Sequence, residues 1–393
     1  MRYRKFKADH LFTGEKFLEG ENVLIWDESG KIINIVNASE AGEEVDVFKG
    51  ILSPGFINAH CHLELSHLKD VIPEKTGLID FVFKVVSERH FEEEEILVSM
   101  EIAEVEMKRN GIVAVGDISN NSLTVEQKKK KNLQYYNFIE TSGWLPQLAE
   151  LRFEKSKSIF DEFEKKGLKA SIVPHAPYSV SHELWKRIIP YFSGKTISIH
   201  NQETAEEDVF FMEGKGAFIK MYEMMKIDNS FYRAKKIRSV ESYFKKFSSA
   251  ASVILVHNTF TQQQDIDFIK QYKNESQLIS FCLCPNANLY IENTLPDVEL
   301  FIKNNCNIVL GTDSLASNHQ LDILEEIKTI SKNFPEVKTE SFLQWATING
   351  AKALQMDSVL GTFEKGKKPG VILIENVEGK KITAHSKVKN LFP

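Results

Sequence analysis

Two histidines stand one residue apart at the end of an apolar run. His60 and His62 close the stretch PGFINAHCH, and His67 follows five residues later. In an extended strand, residues i and i+2 lie on one face. Both imidazoles can therefore point the same way, while Cys61 points toward the opposite layer. Two neutral imidazoles on a shared face suit a divalent transition metal, but two ligands are too few. Further polar residues end other apolar runs: His175 in VPHAP, His200 and Glu203 in SIHNQE, His257 in LVHN and Asp313 in GTDS. His200 and Asp313 would complete a set of three nitrogens and one oxygen. Such a centre, with a position left for water, is hydrolytic. Each residue also has an ordinary explanation. His257 would serve as a hydrogen-bonded core histidine, Asp313 as a helix cap, and Glu203 as a first-turn carboxylate favoured by the helix dipole. Those explanations require several positions to converge on one place by accident.

The elements that must position these residues alternate along the chain. Apolar runs at 51–60, 111–119, 133–141, 169–177, 196–203, 252–258, 278–286 and 307–314 end in polar residues. Helical patterns separate them, EEEILVSMEIAEVEMKRNG (93–111) and HELWKRIIPYF (182–192) among them. Eight strand–helix repeats predict an α/β fold, a (β/α)8 barrel, whose chemistry lies at the C-terminal strand ends. A doubly wound open sheet is the other arrangement, but no glycine-rich phosphate loop follows any strand. The first ~50 residues read as short strands, with a hairpin signal at Asp27-Glu28-Ser29-Gly30, and the last ~35 read similarly. The expected organisation is a small β-sandwich from 1–52 plus 358–393, and a catalytic barrel over 53–357.

Composition limits the partners. The chain has 393 residues, 42% of them apolar, and a net charge of -6. Nothing suggests a polyanionic partner such as nucleic acid, and no apolar run approaches the ~20 residues of a membrane span. The lysine runs at 128–131 and 380–381 read as solvated faces. Four cysteines in a chain this long form no disulfide framework, and Cys282 and Cys284 read as small buried hydrophobes. The basic N-terminus lacks a signal-peptide core, so a reducing cytoplasm is the expected compartment.

PGFINAHCH (54–62), SIHNQE (198–203), LVHN (255–258) and GTDS (311–314), in that order, resemble the amidohydrolase superfamily. The likeness extends to the terminal β domain and so to nearly the whole chain. It implies a divalent metal on His60, His62, His200 and Asp313, with zinc the first expectation and iron(II) or manganese the others. Two-metal members carry a lysine at the fourth strand end. Here that strand ends VPHAP, so the resemblance implies a single metal. The H-x-x-E of His200 to Glu203 is similar to cytosine, guanine and adenosine-type deaminases and to triazine hydrolases, in which that glutamate shuttles a proton. PHAPYSVS (174–181) resembles the methylthioadenosine/S-adenosylhomocysteine deaminase group, where the histidine, here His175, contacts substrate. His60 to Ser66 resembles aminodeoxyfutalosine deaminases.

The implied reaction is hydrolytic deamination of an aminated heterocycle, most simply an adenosine-type nucleoside. Metal-activated water attacks the ring carbon, Glu203 protonates the adjacent ring nitrogen, and ammonia leaves. His257 and Asp313 steer the water proton. Glu64, Ser66 and Arg89 are candidate substrate contacts. The apolar segments 76–86 and 203–250 are candidate pocket walls, the latter a candidate lid. Alternatives on the same residues are deamination of guanine, pterin or cytosine, triazine-type (chloro)hydrolysis, or a non-catalytic metal-binding barrel. The resemblance also implies a homodimer.

Overall fold

In the computed structural model, residues 3–391 are described. Met1, Arg2, Phe392 and Pro393, which fall within the expected terminal domain, lie outside them. Eight parallel strands form the centre: β1 (Phe56–Cys61), β2 (Ile112–Ser119), β3 (Gln134–Thr141), β4 (Ala170–Pro174), β5 (Thr196–Asn201), β6 (Ser252–His257), β7 (Leu278–Leu283) and β8 (Asn307–Leu310). Seven fall inside one of the eight apolar runs, and the first, Phe56–Cys61, extends one residue past the run at 51–60. Nearly all their residues are buried, as strands covered on both faces require. They make two four-stranded sheets, ordered β4-β3-β2-β1 and β5-β6-β7-β8. Hydrogen bonds cross both seams between the sheets. At one, His200 N donates to His175 O at 2.9 Å and Ser171 Oγ to Thr196 O at 2.7 Å. At the other, Thr312 N and Asp313 N donate to His60 O at 3.0 and 3.1 Å, and Cys61 bridges Asp313.

Gly311 lets β8 come this close to β1. A Cβ there would stand 2.8 Å from both the His60 Cβ and the Cys282 Sγ, inside any tolerated contact. Helices connect the strands and bury their apolar faces on the sheets. In Glu93–Arg109 the inner row is Ile96, Met100, Ala103 and Met107. The expected helix over 182–192 stops at Ile188 and continues as a 3-10 turn, Ile189–Tyr191. Pro190 has no N–H for a further α-helical bond.

The expected single strand over 51–60 is two strands. Ile51–Ser53 pairs antiparallel with Ile372–Glu375, and only Phe56–Cys61 joins the central sheet. Pro54 breaks the run, since it cannot donate to a ladder. Near the termini, two four-stranded sheets enclose Phe6, Leu24, Trp26, Leu52, Val371 and Leu373. The hairpin at residues 27–30 is present: Gly30 takes φ +82° and Gly30 N donates to Asp27 O at 2.9 Å. Among the described residues no helix is long and apolar enough to cross a membrane.

Candidate active site

The polar strand-end residues meet. His60 Nε2 lies 3.2 Å from His62 Nε2, and His62 Nε2 lies 3.3 Å from His200 Nε2. Asp313 Oδ1 lies 3.4 Å from His60 Nε2 and 3.3 Å from His62 Nε2. Nitrogen and oxygen donors at ~2.0–2.1 Å from a tetrahedral cation stand about 3.3–3.4 Å apart, and these four separations match. His60, His200, His257 and Asp313 also place one donor atom each within 4.8 Å of one another. That grouping holds His257 where the shorter contacts favour His62. The contacts of 3.2–3.4 Å join His60, His62, His200 and Asp313 more tightly, and His257 stands beside the set.

The tautomers are set from behind. His200 Nδ1 faces the carbonyl oxygen of His175 at 2.9 Å, and His257 Nδ1 faces Asn288 Oδ1 at 3.1 Å. Both Nδ1 atoms must donate, so both Nε2 atoms turn lone pairs inward. Burial pushes His62 down to about 3 and His175 down to about 4, and it also lowers His200 and His257. These imidazoles are therefore neutral donors at pH 7, the state a cation needs. Burial would raise Asp313, but its hydrogen bond to His60 and the facing imidazoles, which favour its charged form, hold it well below the usual carboxylate range. Its other oxygen, Oδ2, accepts from Ser317 Oγ at 2.5 Å. Converging lone pairs plus a carboxylate are unfavourable unless a cation lies between them, so the donor set fits a divalent metal.

Backbone conformation aims these groups. Gln202, His257, Asn258 and Asp313 all have positive φ, at 45°, 72°, 57° and 57°. Non-glycine residues in this region carry strain that surrounding bonds must hold. At Asn258 the holders are explicit: its Nδ2 donates to Leu255 O at 2.8 Å and to Cys282 O at 3.1 Å.

Glu203 follows β5 and places Oε1 3.5 Å from His257 Nε2. Burial first, then the Asp313 charge, raises its carboxyl well above the ordinary range. Its protonated form is thereby favoured. His175 presents Nδ1 to Ser179 Oγ at 2.8 Å, which fixes its ring beside His200.

The turn after His62 is a 3-10 helix, Leu63–Leu68. Glu64 is buried, with Oε2 accepting from Asn120 N at 2.9 Å and Oε1 3.7 Å from Arg89 Nη2. Burial brings it up to about 7 against the pull of Arg89. Ser66 is buried and donates to Leu63 O at 2.7 Å, and His67 faces the carbonyl oxygen of Arg89. Cys61, Cys282 and Cys284 are buried in the core cluster.

Three residues with no role in the sequence reading stand at the site. Glu140, near the end of β3, places Oε1 3.6 Å from His200 Nδ1 and accepts from Asn120 Nδ2 at 3.0 Å. Burial raises it to about 7. The rule that polar residues at strand ends face the site applied to YNFIET as much as to the other strands. Asp117, in β2, accepts from Leu63 N at 2.8 Å and so pins the turn beside His62. Its partner is Lys128, whose Nζ lies 2.6 Å from Asp117 Oδ2 and donates to Ser119 Oγ at 3.1 Å. Lys128 is 1% exposed. This corrects the reading of 128–131 as a solvated face: Lys128 turns inward to a buried carboxylate, and Tyr135 and Phe163 cover its ammonium.

The two expected walls share one apolar cluster. Leu78 and Phe81 from one, and Phe210, Phe218, Met221 and Tyr222 from the other, pack with Trp144 and Tyr178. A cavity of about 590 Å³ opens farther out, lined by Tyr222, Asn229, Tyr232 and Arg233 among others. The histidines and Asp313 do not line it.

The chain is 28% identical to an adenosine deaminase of Helicobacter pylori over 324 residues, covering 81% of this chain and 77% of that protein. It is 25% identical to a 5-methylthioadenosine/S-adenosylhomocysteine deaminase of Thermoanaerobacter pseudethanolicus over 385 residues, covering 92% and 82%. Its fold superposes on the crystal structure of Helicobacter pylori aminofutalosine deaminase in complex with methylthio-coformycin. The TM-score is 0.79 at 22% identity, with 98% of this chain and 97% of the other covered. The family model described as Amidohydrolase family matches residues 51–391. With the match spanning the central sheets and every residue of the converging site, the chain belongs to the amidohydrolase family.

Proposed function

We propose that the protein is a metal-dependent hydrolytic deaminase of an adenosine-type nucleoside, with His60, His62, His200 and Asp313 holding one divalent cation, zinc first. The observation that carries this reading is the four donor separations of 3.2–3.4 Å beside an acid, Glu203, 3.5 Å from His257. The adenosine and methylthioadenosine/S-adenosylhomocysteine specificities named for the relatives support the substrate class.

A divalent cation held there supplies Lewis acidity and makes water a nucleophile near neutral pH. Glu203, kept protonated by burial, donates to the ring nitrogen next to the carbon that bears the amine. His257 and Asp313 receive the proton that water loses. As the C–N bond breaks, a proton returns through Glu203 to the departing nitrogen, and ammonia leaves. His175, its ring fixed by Ser179, hydrogen-bonds the substrate. Glu64, with Arg89 beside it, accepts from substrate hydroxyls or an amine. Ser66 shapes that subsite through its bond to Leu63.

The same reading takes the eight strands as a closed (β/α)8 barrel over 53–357. The terminal sheets, from 1–52 and 358–393, form a small β-sandwich beside it. The seam hydrogen bonds at His175/His200 and His60/Asp313 support closure. We place the enzyme in the cytoplasm.

Purified protein offered adenosine, methylthioadenosine, aminodeoxyfutalosine, guanine, cytosine and a pterin tests this by ammonia release. The expected result is turnover of at least one adenosine nucleoside, lost on treatment with a chelator and restored by zinc, iron(II) or manganese. Metal-loaded protein that deaminates only guanine, cytosine or the pterin, or none of the panel, would overturn it.

A further inference from the structure

Glu203 follows β5 through Gln202, one of the strained positions, with φ +45°. Surrounding bonds must hold such a residue, and here they come from other elements. Gln202 Nε2 donates to Asp265 Oδ2 at 2.9 Å, and Gln202 Oε1 accepts from Thr261 Oγ1 at 2.7 Å. Glu203 is held at its own peptide, where its N donates to Glu207 Oε1 at 3.1 Å. Gln202, Glu207 and Asp265 are all buried.

Both carboxylates, Asp265 and Glu207, are fixed in turn by one pair of neighbouring residues. Arg238 Nε donates to Asp265 Oδ1 at 2.5 Å and Arg238 Nη2 to Asp265 Oδ2 at 2.6 Å, a two-pronged bond that sets the carboxylate plane. Ser239 Oγ donates to Glu207 Oε2 at 2.7 Å. Asp208, in the helix Glu206–Glu213, ties the pair together. Its Oδ2 lies 2.7 Å from Arg238 Nη2, and its Oδ1 accepts from Ser239 N at 2.8 Å. Arg238 therefore reaches Gln202 through Asp265, and Ser239 reaches Glu203 through Glu207. A clamp that only fastened residues 225–238, which form neither helix nor strand, could end on any buried acceptor. This one ends on the Gln202 side chain and the Glu203 N–H. Those two points set where the Glu203 carboxyl stands, 3.5 Å from His257.

We propose that Arg238 and Ser239 are positioning residues for Glu203, acting through Asp265 and Glu207 to hold its carboxyl where it hands over a proton. The inference rests on the reading of Glu203 as the acid. Placement matters because an error of about 1 Å at a reacting group can cost about 10²-fold in rate.

Steady-state ammonia release by the metal-loaded protein tests this, with whichever of adenosine, methylthioadenosine and aminodeoxyfutalosine turns over fastest. Ser239→Ala removes one hydrogen bond and no charge, so the fold survives it. It is expected to lower kcat about 10-fold, with KM and metal content unchanged. Arg238→Lys keeps a cation between Asp208 and Asp265 but loses the two-pronged geometry. It is expected to lower kcat by about 10- to 100-fold. In a Glu203→Gln background the same two substitutions are expected to cost nothing further, because the acid they position is gone. A merely structural role would cost the same in both backgrounds. Equal losses in the two backgrounds, or a wild-type kcat in either single variant, would overturn the proposal. Glu203→Gln at the wild-type rate is a separate failure: it removes the acid itself, and the role of the pair falls with it.

Discussion

In the proposed reaction, Glu203 serves as the acid because of where it sits. Its carboxyl is buried, faces the neutral His257 and feels the Asp313 charge, so ionisation is disfavoured. A group in that state can hand a proton to a weakly basic ring nitrogen, which solvent does poorly at neutral pH. Glu203→Gln keeps the shape and the buried polar contact but removes the proton. It is expected to lower ammonia release by about 10²–10⁴-fold, with metal content unchanged by elemental analysis. Equal loss of metal and activity would reassign Glu203 to holding the site together. This residue was legible in the sequence because it follows a strand-end histidine at a fixed spacing. Glu140 was not, although it lies 3.6 Å from His200. In YNFIET a glutamate before the strand's last residue reads as an ordinary polar terminus, and only the neighbouring strand reveals what it faces.

At the scale of elements, the eight strands could be read because burial on both faces writes continuous apolar runs. The single break in the first run could be read less well, since Pro54 divides a strand whose two halves are equally apolar. What the runs conceal is how the turn after His62 is held. Leu63 N is pinned by Asp117, and Asp117 is balanced by Lys128, both side chains fully buried. Sequence patterning gives a lysine in KKKK no reason to turn inward, because the cause lies in another element. Removing one partner of a buried pair strands the other. Lys128→Met is expected to cost ~3–5 kcal/mol of stability in denaturant unfolding and to weaken metal retention through the loosened Leu63 turn. Asp117→Asn together with Lys128→Met should recover part of that loss, since the uncompensated charge is gone. A Lys128→Met variant within about 1 kcal/mol of wild type would show the pair to be dispensable.

Across the whole molecule, buried titratable groups set a stability profile that the net charge of -6 does not foretell. Burial pushes Glu64 and Glu140 up to about 7, and Glu207 and Glu326 up to about 8. Their unfolded values lie near 4.5. The folded state binds their protons more tightly, so their contribution is complete below about 4.5 and is lost as pH rises through 7 to 8. The histidines act in the opposite sense. His62 and His175 fall to about 3 and about 4 from 6.5, and His200 and His257 fall as well. The unfolded chain binds those protons more tightly, so this contribution is complete above 6.5 and is lost as pH falls through 4 to 3. Between about 4.5 and 6.5 the two slopes oppose each other. Of these eight groups, above 6.5 only the carboxyls still titrate, and below 4.5 only the histidines do. The metal-free protein should therefore show a melting temperature that is flat from pH 5 to 6.5, falls from 6.5 to 8, and falls again below 4.5. Bound metal takes the histidines out of the balance by holding them unprotonated. Loading it should steepen the acid-side loss, because protons must then displace the metal as well. Calorimetry across this range, with and without metal, checks both limbs. A melting temperature that rises from pH 6.5 to 8 in the metal-free protein would mean that the buried carboxyls are ionised in the fold and paired with cations.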